Sequence, residues 1–228
     1  MVRKPVVRIV LVLSLLTLAG IVALAAGGHH GVLTSKDGRM SIATQGSAHI
    51  KPWIEPDSGL TTIAGNLSRY PFGVYFCCYG FTISSSGSII GATYWTAVPF
   101  TPDANYNVKK VETSVANASG TNGVTLSVNA DAGGVPGAAL ASLNVTGLGV
   151  FGECCTLAVA SGPGGLPVTK GTQYWVVAST SSATNDTWDA WAINSTDMRL
   201  GTIAGSQGGP WSAGENLVPG FAVLGTPR

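Results

Sequence analysis

The stretch 123–140, GVTLSVNADAGGVPGAAL, constrains the fold of this chain more than any other. Val124, Leu126 and Val128 alternate with polar residues along its first half. Because successive side chains of a strand point to opposite faces, this pattern predicts a β-strand with one buried and one solvated face. The segment from Asp131 to Gly137 then combines three glycines with a proline, a composition that favours a turn.

The composition agrees with strands joined by tight turns. Only 10% of the residues are charged, and 31 of the 228 are glycine, whereas helices favour alanine, leucine, glutamate and lysine. No stretch after residue 60 has a sustained helical period. Strands are predicted at 61–67, 73–83, 89–100, 106–117, 124–130, 138–145, 155–160, 173–180, 187–194 and 217–224. The sequence therefore predicts an all-β fold, an antiparallel β-sandwich resembling a jelly roll, formed as one domain by residues 60–228.

The N-terminus is typical of an export signal. Arg3, Lys4 and Arg8 precede an almost wholly apolar segment from Ile9 to Ala26, and Ala23-Leu24-Ala25 fits the small residues required before a cleavage site. Residues 1–25 are thus predicted to be a signal peptide cleaved after Ala25. An uncleaved membrane anchor is the alternative, since eighteen apolar residues could span a bilayer. We expect the protein to be secreted or held at the cell surface.

Residues 26–59 lack a sustained apolar period and are predicted to be a flexible linker. Without the three basic residues of the leader, nine basic and eleven acidic residues remain, a net charge of −2. Such a balance gives no electrostatic reason to bind nucleic acid or an anionic membrane.

The four cysteines form two adjacent pairs, Cys77-Cys78 and Cys154-Cys155. In an oxidising compartment they are expected to form disulfides, and bridges between the two pairs are favoured over a strained ring within one pair. The three possible pairings stay open on sequence grounds. Zinc is the rival interpretation, but adjacent cysteines lack the spacing of a structural zinc site.

Several segments resemble a family of exported bacterial domains. The segments are YWTAVPFTP, GTNGVTLSV, GGVPGAAL, FGECCTL, KGTQYWVV and DTWDAW. Together they are similar to the "choice-of-anchor" domains of type R over residues 61–225, and FGECCTL is the most specific of them. The resemblance implies a β-sandwich attached to a surface and supplies no catalytic residues. Because the chain ends at Arg228 without a sorting motif, we expect either release or retention by the N-terminal segment.

The residues offer little support for an enzyme. A hydrolytic triad most often uses histidine as its base, and the sequence has no histidine after His49. A glycosidase would need two carboxylates across a cleft. The acidic residues that could supply them lie outside any recognisable motif: Asp131, Glu153, Asp186, Asp189, Asp197 and Glu215. We therefore predict a protein without catalytic activity, and keep a histidine-free secreted hydrolase as the third hypothesis.

Asp186, Asp189 and Asp197 are the calcium ligands that the sequence suggests. With the nearby asparagines they could offer oxygen atoms to Ca²⁺, although the spacing does not match an EF-hand loop. Asx-rich turns explain the same composition without a metal. Calcium is therefore a weak hypothesis, and no other cofactor is expected.

Tryptophans give the strongest indication of ligand binding. Trp188, Trp191 and Trp211 could stack on sugar rings, and Trp211 lies among loop residues. The alternative is that Trp188 and Trp191 belong to the core, as predicted for Trp95 and Trp175 in their strands.

Three functions remain in order of preference. The first is an exported, non-catalytic module with a binding or structural role, and the second is a carbohydrate-binding module that uses exposed tryptophans; the hydrolase comes last. The predicted partners are a glycan, another surface protein, or further copies of the chain that associate through edge strands.

Overall fold

The computed structural model describes residues 32–43, 59–67, 78–153, 157–194 and 198–228. These residues form β-strands and turns and contain no helix, which confirms the predicted all-β class. Accordingly, the described part of the chain has no helix long and apolar enough to cross a membrane. The strands are β1 (Val32–Thr34), β2 (Met40–Ala43), β3 (Thr61–Gly65), β4 (Tyr79–Ser84), β5 (Trp95–Phe100), β6 (Tyr106–Thr113), β7 (Val115–Ser119), β8 (Gly123–Asp131), β9 (Pro136–Thr146), β10 (Ala158–Val168), β11 (Tyr174–Ser179), β12 (Trp188–Ala192), β13 (Leu200–Ser206), β14 (Ser212–Leu217) and β15 (Phe221–Pro227).

The largest sheet has six strands in the order β14-β13-β5-β11-β8-β9. All of its paired strands are antiparallel, and β8, predicted from the alternation of Val124 to Val128, pairs with β11 on one side and β9 on the other. Val124, Leu126 and Val128 point into the core, whereas Ser127 and Asn129 lie on the opposite face. This alternation places one face of the sheet against the rest of the protein.

Two further sheets pack on that face. One has five strands, in the order β1-β2-β4-β12-β7, and the other has four, in the order β10-β6-β15-β3. The main core cluster takes Phe81 and Trp191 from the first of these, Val111 and Val223 from the second, and Val176 from the six-stranded sheet. The antiparallel sheets therefore enclose one apolar interior, as in a β-sandwich.

The two smaller sheets are joined at Ser114, the single residue between β6 and β7. Its backbone N–H donates to the carbonyl of Gly220 (3.0 Å), and its carbonyl accepts from the N–H of Ala192 (3.1 Å). The Ser114 hydroxyl donates to the carbonyl of Ala192 (2.6 Å), and Trp191 Nε1 donates to the carbonyl of Gly220 (2.8 Å). Strands from both sheets are thus fixed at one buried junction.

The N-terminal region corrects one sequence prediction. Within residues 26–59, predicted to be a flexible linker, β1 and β2 form an antiparallel hairpin, and β2 pairs with β4. The sequence contains a short signal for this hairpin, because Asp37-Gly38 is a dipeptide typical of tight hairpin turns. Gly38 has a φ of 73°. The alternation Met40-Ser41-Ile42-Ala43 follows it, with Ser41 and Ala43 buried.

Other predicted elements differ in extent. The strands β13 and β14 were not predicted, because glycine and polar residues interrupt their apolar alternation. Residues 162–165, which lie outside the predicted strands, belong to β10, where the pairing with β6 shifts between Ser161 and Leu166. The strand predicted from Ile89 begins only at Trp95, and Ile89 is exposed in the preceding turn.

Candidate functional site

A groove opens where β13 and β14 leave the body of the sandwich. β13 pairs with β14 over six residues, from Leu200 to Gly205, but pairs with β5 only from Ala204 to Ser206. The free part of this hairpin faces β2 and β4 of the five-stranded sheet. The space between them has a volume of about 640 Å³, which is in the range of small-molecule binding sites.

The groove combines apolar and polar surface. Met40, Phe81 and Ile203 contribute apolar side chains that also contact the core. Its exposed lining residues are mainly polar: Asp37, Arg39, Gln207, Ser212, Glu215 and Asn216. The arrangement can hold a ligand that has both a nonpolar surface and several hydrogen-bonding groups.

One end of the groove is fixed by the turn between β1 and β2. Asp37 Oδ1 accepts from the Ser35 hydroxyl (2.5 Å) and from the backbone N–H of Arg39 (3.2 Å). The Tyr94 hydroxyl donates to the carbonyl of Asp37 (2.6 Å), and the Tyr94 ring lies where a side chain at Gly38 would be. The turn is therefore positioned against β5 before any ligand binds.

The carboxylates of the groove differ in their surroundings. The hydrogen bond from Ser35 lowers the pKa of Asp37, helped by the N–H and the charge of Arg39. Asp37 thus remains ionised and engaged within its turn, which does not suit a general acid. Glu215 is exposed on β14. Of the five described residues among the six carboxylates considered in the sequence, Glu215 alone lines this groove.

Trp211 is not among the residues that line the groove, whereas its neighbour Trp95 is. Its ring is half-buried and 6.4 Å from the ring of Trp95, at an interplanar angle of 40°. Trp95 was predicted to be a core residue, but it too is half-buried, and its Nε1 donates to the Thr180 hydroxyl (3.4 Å). Trp211 packs beside the buried Trp175 and Val177. Trp175 is a core residue as predicted.

Trp188 and Trp191 are not available to a ligand. Their exposed fractions are 3% and 0%. Trp188 Nε1 donates to the Ser41 hydroxyl (3.0 Å), and Trp191 Nε1 donates to the carbonyl of Gly220, so both indole N–H groups are already bonded within the protein. A ring enclosed on both faces cannot stack on a sugar, which corrects the ligand-binding prediction for these two residues in favour of the core alternative.

Asp131 has a structural role at the end of β8. Its carboxylate accepts from Trp175 Nε1 (2.7 Å) and Gln173 Nε2 (2.8 Å). The backbone N–H groups of Gly133 and Gly134 also donate to it. These bonds, led by that from Trp175, lower the pKa of Asp131. The carboxylate therefore links a buried indole to the turn between β8 and β9.

The acidic residues proposed for calcium lie in different surroundings. Asp186 is exposed, and its Oδ1 accepts from the Thr121 hydroxyl (2.7 Å), which lowers its pKa. Asp189 is fully buried in β12, where burial raises its pKa well above the usual value. A buried carboxyl that resists ionisation is unsuited to bind Ca²⁺, so the prediction is corrected for Asp189. Asp197 lies outside the described residues, among which no group of three potential metal ligands occurs.

Of the four cysteines, only Cys78 lies among the described residues. Its Sγ is 4.0 Å from the carbonyl oxygen of Gly152. Cys77, Cys154 and Cys155 lie outside the described residues, so the predicted bridges between the two pairs stay a prediction.

No protein-family model, curated protein or solved structure matches the chain significantly. The resemblance to "choice-of-anchor" domains therefore stays a prediction. The groove itself was not predicted from the sequence, because its walls come from β2 and from the hairpin of β13 and β14. Two turn signals could have indicated those hairpins: Asp37-Gly38, and the Gly208-Gly209-Pro210 run between two strands.

Proposed function

We propose that this protein is an exported, non-catalytic β-sandwich module that binds carbohydrate in the groove between β2, β4 and the hairpin of β13 and β14. The observation that carries the proposal is the groove itself, which combines an apolar interior with a polar rim. A surface attachment like that of the "choice-of-anchor" domains is part of the proposal.

The chemistry of the groove favours a sugar over a purely apolar or strongly charged ligand. A sugar ring has C–H surfaces that suit the half-buried Met40, and hydroxyl groups that suit the amides of Gln207 and Asn216. Arg39 brings positive charge to the rim, but Asp37 and Glu215 bring negative charge. These opposite charges do not select a ligand of one sign.

The proposal of a binding rather than a catalytic role rests on the groove carboxylates. Asp37 has a lowered pKa and is held by Ser35 and Arg39, so it is a poor proton donor near neutral pH. Glycoside hydrolysis needs one carboxyl group with a raised pKa beside a second carboxylate. The lowered pKa of Asp37 does not meet this requirement, which favours binding without turnover.

Export is supported by the N-terminal basic and apolar segments. The predicted disulfides would persist in an oxidising compartment. A ligand presented outside the cell, such as a polysaccharide, is consistent with that location.

Glycan-array screening of the purified protein, followed by calorimetric titration of each glycan that binds, tests the proposal. The blocking variant is Gly214→Trp, because Gly214 lines the groove and a side chain there meets no atom within 4 Å. We expect this variant to lose binding at least tenfold while its melting temperature stays near that of the wild type. The matched control is Thr202→Trp, an exposed position of the same hairpin that does not line the groove.

Trp211→Ala distinguishes the groove from the surface around Trp211. If carbohydrate binds in the groove, this variant should bind as the wild type does, because Trp211 is not among the lining residues. Loss of binding in Trp211→Ala with normal binding in Gly214→Trp would move the site to the surface around Trp211. Release of free sugar from a bound glycan would contradict the non-catalytic role, and an array without any bound glycan would contradict the carbohydrate proposal.

A further inference from the structure

We propose that a second copy of this chain pairs with the free edge of β9, joining two six-stranded sheets through an antiparallel β9–β9 contact. This surface is separate from the carbohydrate groove, which lies at the opposite, β14 end of the same sheet. The proposal therefore does not depend on the proposed ligand.

The first observation is a long strand with one unpaired side. β9 ends the six-stranded sheet, and among the described strands it pairs only with β8. The pairing of β9 with β8 is regular from Ala141 to Thr146. Its register shifts at the position of Val128 and Asn129 in β8. The regular part leaves backbone N–H and C=O groups along one side that can pair with another extended strand.

The second observation is exposed apolar surface beside that edge. Leu140 and Leu143 are 45% and 36% exposed. They border a cavity of about 220 Å³ between β9 and the strands β6 and β10, which Val108, Leu126 and Leu166 also line. Large apolar side chains next to an open strand edge are typical of a surface that another strand covers.

Charge favours a second copy as the occupant. No charged residue occurs between Ala132 and Gly152, so two identical β9 edges approach without like-charge repulsion. Beneath the edge, Lys110 is paired with Glu112 at 2.8 Å. The opposite edge strand, β14, carries Glu215 and would bring two such carboxylates together in a symmetric pair. Natural proteins commonly protect edges with charge, and β9 lacks this protection.

The strand is also complementary to itself. Ala141, Leu143 and Val145 alternate with Ser142, Asn144 and Thr146. A two-fold axis perpendicular to the sheet would place the apolar rows of both copies on the same side and join the two cavities.

The contact is expected to be weak and reversible. Six residues of strand are about 20 Å long, and a band of that length and about 20 Å width is roughly 400 Å² per copy. Stable complexes bury about 800 Å² per partner. We therefore expect a dimer whose dissociation constant lies between about 10 μM and 1 mM, a range suited to proteins concentrated on a surface.

Sedimentation equilibrium of the purified protein from about 5 μM to 2 mM tests the proposal. The wild type should shift from monomer to dimer, and Leu143→Lys should raise the dissociation constant at least tenfold by placing two ammonium groups at the contact. Leu200→Lys is the matched control, because it makes the same leucine-to-lysine change on β13, where Leu200 is 62% exposed. This variant should dimerise as the wild type does. Leu140→Lys replaces Leu143→Lys if the latter fails to fold, as judged by near-UV circular dichroism.

A wild-type protein that stays monomeric at 2 mM would overturn the proposal, even if β9 binds an extended peptide of another protein. An unchanged dissociation constant of the dimer in Leu143→Lys or Leu140→Lys would also overturn it. Loss of the dimer in Leu200→Lys alone would do the same.

Discussion

Asn117 Nδ2 donates a hydrogen bond of 2.9 Å to Oδ1 of Asp189, while Oδ2 of the same buried carboxyl accepts no hydrogen bond from any described residue. The two residues are paired across β7 and β12, in the interior of the sandwich. A single amide donor does not offset the loss of water around an ionised carboxylate. Burial therefore favours the neutral, protonated form of Asp189, and its protonation is coupled to folding.

Asp189→Asn should stabilise the protein at neutral pH and reduce the dependence of its stability on pH. In the unfolded chain an aspartate ionises above about pH 4, whereas burial raises the pKa of Asp189 in the folded protein. Between these two pKa values the unfolded state has lost a proton that the folded state keeps. The free energy of unfolding therefore falls as pH rises, by up to about 1.4 kcal/mol per pH unit. Urea unfolding of both proteins between pH 3.5 and 7.5 measures the difference.

Asp186→Asn is the control for this effect and has the opposite sign. The Thr121 hydroxyl lowers the pKa of Asp186, so ionisation there favours the folded state and its contribution is lost as pH falls. A difference between wild type and Asp189→Asn that stays constant with pH would contradict the neutral assignment of Asp189.

Asp131→Ala should lower the melting temperature more than Asp131→Asn does. Alanine leaves the indole N–H of Trp175 and the amide of Gln173 without their acceptor, whereas asparagine keeps a carbonyl oxygen in place. Thermal unfolding followed by circular dichroism at pH 7 compares the variants. Equal melting temperatures for the two would show that the carboxylate does not support Trp175.

Gly120→Ala should destabilise the protein by more than about 1 kcal/mol. Gly120 has a φ of 75°, and a Cβ atom there would overlap the backbone carbonyl oxygen of Asp186. Gly214→Ala is the matched control, because Gly214 lies in a strand and a Cβ there meets no atom within 4 Å. Denaturant midpoints measure both changes, and similar midpoints for the two variants would contradict the prediction.

Trp191→Ala should cost about 3–5 kcal/mol of the free energy of unfolding, the range for large buried aromatic residues. Its ring is fully enclosed, and its N–H is bonded to Gly220. Trp211→Ala removes the same side chain from a half-buried position and should cost only about 1 kcal/mol. Urea unfolding compares them, and a larger loss in Trp211→Ala would reverse the assignment of core and surface.

The sequence predicted the strands whose residues alternate strictly, because period-two alternation follows directly from one buried and one solvated face. β8 is an example: residues 124–130 were predicted, and the strand runs from Gly123 to Asp131. Where a strand is buried on both faces, as in β12, the strand could be predicted but the direction of its tryptophans could not. Both faces of β12 are covered, and Trp188 and Trp191 are buried on opposite ones.

The groove was beyond prediction for a different physical reason. Its walls come from β2 and β14, which are separated by more than 160 residues and meet only through tertiary packing. The strand β14, SAGENL, carries no apolar alternation, because its side chains are mostly exposed. Its pairing with β13 depends on the turn at 207–211. The composition of that segment predicts a turn but does not predict which strands it joins.

Ser114 gives the sandwich its cooperativity. β6 and β7 follow each other directly in the chain but belong to different sheets. Unfolding of one of the two smaller sheets would therefore disturb the strand that continues into the other. The bonds from Ser114 to Ala192 and Gly220 extend this dependence to β12 and β15. The smallest unit of this chain that can fold is thus the whole sandwich, and it should melt in a single transition.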